Sequence, residues 1–152
     1  MTVEVKSEAD MRQFGAILGA LMNGGEIIEL LGDVGSGKTI LVKGIADGLG
    51  VDENVQSPSF LITGVYQGKH GTTLAHYDFY RLSDPGIMME SLGETMHDTK
   101  TVTAIEWADI VDDILPEDRL TVRISTLGET SRRLVLQAGG NRSNQLLEKL
   151  GE

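Results

Sequence analysis

The sequence predicts an α/β fold in which helices cover a central sheet of parallel and antiparallel strands. In the first half of the chain, short apolar runs alternate with amphipathic segments of helical length, which is typical of strands joined by crossover helices. In the second half, such runs occur in pairs around short polar turns, which is typical of hairpins. The length of 152 residues, with 40% hydrophobic and 24% charged residues, predicts one domain over residues 1–152.

The first half of the chain predicts a strand, a helix, a second strand and a second helix. Residues 2–6 alternate in polarity and predict a short strand. Ser7 then caps a helix, and the apolar spacing predicts its buried face. That face is expected to hold Phe14, Ile17, Leu18 and Leu21. The apolar run at 26–31 predicts a buried strand, and residues 38–49 predict a helix that ends at Gly50.

The second half of the chain predicts further strands and helices in alternation. The predicted strands are residues 59–66, 72–78, 101–105, 119–125 and 132–138. The first two and the last two are expected to form hairpins. Helices are predicted at 87–92 and 108–115, and the tail at 141–152 is compatible with a frayed amphipathic helix. Gly93 is one of several glycines interpreted as turns or helix ends, because they follow apolar segments.

Charge and composition exclude several classes of function. The chain has 13 Lys+Arg against 23 Asp+Glu, a net charge of −10, which disfavours nucleic-acid binding through a broad basic face. Cysteine is absent, so disulfides, thiolate zinc sites and thiol nucleophiles are excluded. No run approaches the roughly 20 apolar residues of a membrane helix, and the first residues do not resemble a secretory signal. We therefore expect a cytoplasmic protein with no membrane association.

Acidic residues concentrate in one part of the chain. Residues 84–118 contain ten acidic residues and one basic residue, Lys100. A solvated acidic face is the first interpretation. A docking surface for a basic partner protein is the alternative, because such a field steers association.

The segment at residues 32–39 reads GDVGSGKT and matches the pattern G-x-x-x-x-G-K-[ST] at every fixed position. Its glycines let successive backbone N–H groups surround a phosphate at the positive end of a helix dipole. Lys38 is predicted to neutralise the β and γ oxygens, and the Thr39 hydroxyl to ligate Mg²⁺. The sequence therefore predicts nucleotide binding by a P-loop NTPase-like three-layer sandwich with a mixed parallel/antiparallel central sheet.

Two carboxylates are candidate partners for this loop. Asp78 and Glu106 each end a predicted strand, so each should emerge at the carboxyl edge of the sheet, where the loop lies. One carboxylate is expected to hold Mg²⁺, directly or through water, and the other to orient or activate the attacking water. Position alone leaves these two roles open.

Other residues are weaker candidates on their own. Four consecutive residues form a candidate switch segment near the γ-phosphate: Ser57, Pro58, Ser59 and Phe60. His76 is interpreted as a packed core residue rather than a catalytic group. Trp107 is either a packing residue or an aromatic plate beside the nucleotide. Arg81, Arg132 and Arg133 are candidate phosphate contacts.

Four segments in this order resemble the TsaE (YjeE) family of bacterial P-loop ATPases. They are GDVGSGKT at 32–39, SPSF at 57–60, HYDFYRL at 76–82 and EW at 106–107. The resemblance spans residues 5–125. It implies a cytoplasmic ATPase that supports formation of N6-threonylcarbamoyladenosine at position 37 of tRNAs reading ANN codons. It also implies that the partners are the TsaD and TsaB proteins, with tRNA contacted only through that complex.

The resemblance implies a role for individual residues. The nucleotide is expected to contact Asp33, Val34, Gly35, Ser36, Gly37, Lys38, Thr39 and Ile40, with Ala9 near the adenine. Thr39 and Glu106 would bind Mg²⁺, Asp78 would be the catalytic carboxylate, and Trp107 would be a functional aromatic beside the site.

Two other functions remain as alternatives. A small-molecule kinase usually carries a basic lid over the transferred phosphoryl group, and the acidic residues 84–118 argue against one. A non-hydrolysing, nucleotide-dependent switch protein would need the phosphate-binding loop but no catalytic carboxylate.

Overall fold

Seven strands form one sheet in the part of the chain that the computed structural model describes, residues 1–56, 63–84 and 86–152. The strands are β1 (Thr2–Val5), β2 (Ile27–Leu31), β3 (Thr63–Gln67), β4 (Thr73–Asp78), β5 (Thr101–Glu106), β6 (Leu120–Thr126) and β7 (Arg132–Ala138). Their order is β1-β7-β6-β2-β5-β4-β3. The four central strands, β6, β2, β5 and β4, are parallel, whereas β1, β7 and β3 pair antiparallel. The predicted mixed sheet is confirmed.

Helices pack on both faces of this sheet. They are α1 (Glu8–Ala20), α2 (Lys38–Gly48), α3 (Gly86–His97) and α4 (Asn141–Gly151), with a 3-10 helix at Ala108–Ile114. Side chains of α1, α2 and α4 share a core with Leu74 and Val102. Side chains of α3 and the 3-10 helix share a second core with Ala75 and Ile105. Because neighbouring strand residues point to opposite faces, the two cores lie on opposite sides of the sheet and give three layers. Among the described residues, no helix is both long and apolar enough to cross a membrane.

The parallel strands bring the candidate carboxylates to one edge. β4 and β5 pair so that Asp78 lies directly opposite Glu106 at the last position of each strand. β2 pairs with β5 with Leu30 opposite Glu106, so the chain leaves β2 and enters residues 32–37 at the same edge. Alternate residues of these strands belong to opposite cores, so a shift of one residue would exchange the side chains of the two cores, which disfavours any other register.

Helices α1 and α2 meet along a seam of four glycines, Gly15, Gly19, Gly44 and Gly48. A Cβ atom added to Gly15 would lie 2.5 Å from the carbonyl oxygen of Leu41 and 2.8 Å from the Cα of Gly44. Backbone therefore packs on backbone across this glycine seam. The predicted buried face of α1 was wrong at Ile17, which is 51% exposed, because Gly15 and Gly19 occupy the buried face instead.

Helix α3 is longer than predicted. It continues through Gly93 to His97, whereas the sequence predicted an end at residue 92. The extra turn carries Met96 onto the second core and lets the Thr95 hydroxyl bond the Tyr77 hydroxyl at 2.9 Å. These contacts outweigh the weak helix preference of one glycine. The predicted strand at 59–66 is described only from Thr63 onward, and the predicted helix at 108–115 is a 3-10 helix.

The tail of the chain is a helix capped from a distance. The carboxylate of Asp118 accepts hydrogen bonds from the backbone N–H groups of Arg142 and Ser143, at 2.9 and 3.0 Å. The Ser143 hydroxyl donates to the same carboxylate at 2.7 Å. These bonds satisfy N–H groups that the first turn of α4 leaves without a helical partner, and Leu146 anchors the helix in the first core.

Candidate phosphate-binding site

Residues 32–39, the phosphate loop, turn the chain from β2 into α2. Gly35 and Gly37 have φ angles of +80° and +105°, values that residues with a Cβ rarely adopt. α2 then begins at Lys38. The unpaired N–H groups of its first turn and the positive end of its dipole therefore face the loop, an arrangement that attracts phosphate.

Lys38 is held beneath the loop. Its side chain is 5% exposed, and its Nζ donates to the carbonyl oxygens of Gly32 at 2.6 Å and Asp33 at 3.0 Å. The Nζ also lies 4.5 Å from the ring centroid of Trp107, within the range of a cation–π contact. Desolvation lowers the pKa of Lys38 below its ordinary value, although the carboxylates of Glu106, Asp78 and Asp33 oppose the shift.

This lowered pKa predicts proton uptake when a nucleotide binds. Anionic phosphates beside Lys38 favour its charged form and raise its pKa. At a pH between the pKa of Lys38 in the nucleotide-free protein and its higher pKa in the complex, binding therefore takes up a proton. In this range the affinity for the nucleotide falls as the pH rises. Calorimetry of ATP binding in buffers of different ionisation enthalpy should detect this uptake when it is repeated in steps from about pH 8, where phosphates are fully ionised, to about pH 10.4, the ordinary pKa of lysine. Tyr80→Phe removes another titratable group that lines the site and should leave the uptake intact; equal heats in all buffers would contradict the assignment.

Glu106 lies between a hydroxyl and an imidazole. Its side chain is almost fully buried, and its Oε2 lies 3.5 Å from the Thr39 hydroxyl and 2.5 Å from His76 Nε2. His76 Nδ1 has no hydrogen-bond partner in the described part of the chain, so the Nε2 tautomer, which donates to the carboxylate, fits best. The second candidate, Asp78, is half-buried and accepts from the backbone N–H of Tyr80 at 3.0 Å.

The donors at this edge fit magnesium. Mg²⁺ prefers oxygen ligands, keeps several waters and is usually bound by one or two protein groups together with substrate phosphates. The Thr39 hydroxyl and the Glu106 carboxylate supply such a pair beside the phosphate loop. Among the described residues, no cluster of three or more His, Asp or Glu side chains forms a site that holds a metal by itself. Any metal here is therefore expected to depend on the nucleotide.

Trp107 adopts a strained backbone conformation beside the site. Its φ and ψ of 56° and 53° are left-handed, which costs a residue other than glycine about 1 kcal/mol. This bend follows Glu106 directly and turns the indole over Lys38. The exposed ring of Tyr80 packs on the ring of Trp107 at a centroid distance of 4.8 Å. The two rings form an apolar wall next to the lysine.

Two adjoining cavities open around the loop. The larger has a volume of about 400 Å³. It is lined by nine of the predicted site residues: Val34, Gly35, Gly37, Lys38, Thr39, Ile40, Asp78, Glu106 and Trp107. The smaller, of about 160 Å³, lies between the start of α1 and the β6–β7 turn. Outside residues 35–40, the residues that line it are Ser7, Glu8, Met11, Glu129, Thr130 and Arg132. Gly35 and Gly37 of the loop and Ile40 of α2 line both cavities.

Some predicted residues lie elsewhere. Ser36 lines only the smaller cavity. Asp33 and Ala9 are exposed and line neither of these two cavities, although Asp33 contributes its carbonyl to Lys38. Glu8, the neighbour of Ala9, lines both. The predicted switch segment, Ser57, Pro58, Ser59 and Phe60, lies outside the described residues.

The three candidate arginines separate in space. Arg81 lines the larger cavity, Arg132 donates to carbonyls of the phosphate loop, and Arg133 pairs with Glu4 at 2.7 Å. Sequence reasoning did not single out Tyr80 or Glu8 as lining residues. Tyr80 could have been identified because it follows Asp78 by two positions. Nothing in the sequence marks Glu8 as a lining residue beyond its place in the first turn of α1.

Comparisons with known proteins agree on one family. The family model described as "Threonylcarbamoyl adenosine biosynthesis protein TsaE" matches residues 5–134. The tRNA threonylcarbamoyladenosine biosynthesis protein TsaE of Bacillus subtilis (strain 168) is 35% identical over 143 residues, which cover 93% of this chain and 87% of that protein. Its namesake in Streptomyces coelicolor is 38% identical over 123 residues, covering 80% and 83%. The crystal structure of Bacillus subtilis YdiB superposes with a TM-score of 0.84 at 29% identity, covering 99% of this chain and 93% of that one.

Proposed function

Since the chain belongs to the TsaE family, and so takes part in tRNA threonylcarbamoyladenosine biosynthesis, we propose that its own contribution is the hydrolysis of ATP. One observation carries this proposal. Asp78 and Glu106 end adjacent parallel strands in register, at the edge where the phosphate loop presents Lys38 and Thr39. A cation, a hydroxyl and two carboxylates around one cavity are the groups that phosphoryl transfer to water requires.

ATP is proposed to span both cavities. Its phosphates occupy the larger one, against Lys38 and the first turn of α2. The base enters the smaller cavity, which adjoins the loop and is walled in part by Met11 and Ile40. To accept the phosphates, the Lys38 ammonium exchanges its carbonyl partners, Gly32 and Asp33, for phosphate oxygens. The stronger charge-assisted bonds favour this exchange.

The two carboxylates divide the chemistry. Thr39 and Glu106 hold Mg²⁺, which when bound neutralises charge on the phosphate oxygens. His76 donates to Glu106 and keeps its carboxylate turned toward Thr39. Asp78 orients a water and accepts its proton as the water oxygen attacks the γ-phosphorus. The bond from that phosphorus to the β-γ bridging oxygen breaks, and ADP and phosphate leave.

The proposed partners are TsaD and TsaB, in the cytoplasm, with tRNA contacted only through their complex. The 3-10 helix that follows Trp107 exposes three carboxylates: Asp109, Asp112 and Asp113. Such a surface repels tRNA and attracts a basic protein surface to this face of the molecule. Hydrolysis by the isolated chain is expected to be slow, and to rise when the partners bind.

A reconstituted tRNA modification assay tests this function. With purified TsaD and TsaB, formation of N6-threonylcarbamoyladenosine over repeated turnovers should require both ATP and this chain. Asp78→Asn should bind ATP with nearly unchanged affinity but lower hydrolysis by about 100-fold or more, because a positioned proton acceptor contributes that much. Asp52→Asn, at an exposed carboxylate outside both cavities, is the matched control.

Each other outcome of this assay identifies a different function. Turnover by the isolated chain at about 1–100 s⁻¹, the range of kinases, would contradict an accessory role. Phosphorylation of a nucleoside or another small metabolite would make the chain a kinase. ATP binding without hydrolysis, even with TsaD and TsaB present, would leave a nucleotide-dependent switch.

A further inference from the structure

Arg132 binds the phosphate loop rather than facing solvent. At the first position of β7, it donates from Nε to the carbonyl oxygen of Ser36 at 3.1 Å and from Nη2 to that of Gly35 at 3.4 Å. The two N–H groups of its Nη1 are shared among three carbonyls of the β6–β7 turn: Gly128 at 3.1 Å, Glu129 at 3.4 Å and Ser131 at 2.9 Å. One guanidinium therefore joins two segments that are almost one hundred residues apart in the sequence.

We propose that Arg132 is a positioning residue that presets the phosphate loop for its ligand. The loop peptides are trans and planar, so a carbonyl and the N–H of the next residue point in opposite directions. When Arg132 holds the carbonyls of Gly35 and Ser36, the N–H groups of Ser36 and Gly37 must point away from it. The Ser36 N–H then closes the loop by donating to the Asp33 carbonyl at 3.0 Å, and the Gly37 N–H is turned toward the ligand. A backbone N–H turned in this way is a donor with which a loop of this kind surrounds a phosphate.

The loop needs an anchor of this type because its glycines are conformationally free. Gly35 is exposed, and apart from its chain neighbours no atom of the described residues lies within 4 Å of the position a Cβ would take there. Glycines lose more backbone entropy on ordering than other residues. A loop that is ordered before the ligand arrives does not add that loss to the free energy of binding.

The same contacts argue against a direct phosphate contact by Arg132. Each of its three nitrogens already donates to a backbone carbonyl, and reaching a phosphate would break those bonds. Its neighbour Arg133 offers the same charge one position away but pairs with exposed Glu4. Arg133 is therefore a matched control for Arg132, because only Arg132 is hydrogen-bonded to the loop.

The first test measures the loop in the nucleotide-free protein. In Arg132→Gln, the amide of Ser36, which donates to Asp33 at 3.0 Å, should exchange with solvent about tenfold faster, the effect of losing one charge-assisted hydrogen bond. Amides of β5 should not change, and Arg133→Gln should leave Ser36 unchanged. If Ser36 exchange is unaltered in Arg132→Gln, or changes equally in both variants, the proposal is wrong.

The second test measures affinity and rests on the proposed ATP binding. Arg132→Gln should weaken ATP and ADP binding about tenfold, and Arg133→Gln should leave both within twofold. Arg132→Lys should recover little, because an ammonium cannot bridge the loop and the turn as a guanidinium does. Full recovery by lysine would show that charge alone matters and overturn the positioning role. If the parent protein binds no ATP, the proposed function fails, whereas the exchange result still decides the role of Arg132.

Discussion

Lys38→Ala should weaken ATP binding by about a hundredfold and remove measurable hydrolysis. Lys38 lines the larger cavity, and its Nζ is held by the loop carbonyls and the ring of Trp107. Truncating one member of a buried, hydrogen-bonded charge pair costs about 3 kcal/mol, which corresponds to about a hundredfold in affinity. Calorimetric titration with ATP and Mg²⁺ measures this loss directly.

The control for this variant is Lys43→Ala. Lys43 lies on the same helix and carries the same charge, but it lines neither cavity, so its loss should change affinity less than twofold. Near-normal ATP binding by Lys38→Ala would mean that the phosphates lie elsewhere. An equal loss in both variants would mean that only the overall charge of the helix matters.

Gly15→Ala should lower the free energy of unfolding by about 2 kcal/mol, although alanine is the better helix former. In an open helix, this change gains about 0.5–1 kcal/mol. Here the new Cβ would lie 2.5 Å from the Leu41 carbonyl oxygen and 2.8 Å from the Gly44 Cα. Both are backbone atoms that cannot rotate away, so α1 and α2 must separate, and overpacking of this kind costs about 1–3 kcal/mol.

Gly93→Ala is the matched control in α3. Apart from its chain neighbours and the backbone of its own helix, no atom of the described residues lies within 4 Å of the Cβ that this change adds, so the change should stabilise the protein by about 0.5–1 kcal/mol. Urea unfolding of the two variants and the parent protein gives the comparison. If both variants are stabilised, the glycine seam is not closely packed.

The sequence predicted that the phosphate loop, Asp78 and Glu106 come together, because each is recognisable from its own short segment. The phosphate loop is contiguous, and its glycines, lysine and threonine are recognisable without knowledge of the fold. Asp78 and Glu106 were predicted to meet because each ends a strand, and the ends of parallel strands share one edge. The observed pairing of Asp78 with Glu106 follows from that rule.

The sequence failed where contacts depend on distant segments. Apolar spacing placed Ile17 on the buried face of α1, because a glycine seam carries no hydrophobic signal. Gly93 was interpreted as the end of a helix, since the packing of Met96 and the bond from Thr95 to Tyr77 cannot be read from neighbouring residues. Arg132 and Arg133 were equivalent by type, and only the fold shows which one reaches the loop.

The glycine seam also fixes the distance between the starts of α1 and α2. Glu8, in the first turn of α1, and Ile40, in the first turn of α2, line both cavities, and the two helices touch through main-chain atoms. The spacing of these two helix ends is therefore a property of the peptide backbone, and no change of side-chain rotamer adjusts it. A nucleotide that filled both cavities, as proposed, would have to fit this spacing, so we expect its affinity to depend on its number of phosphates.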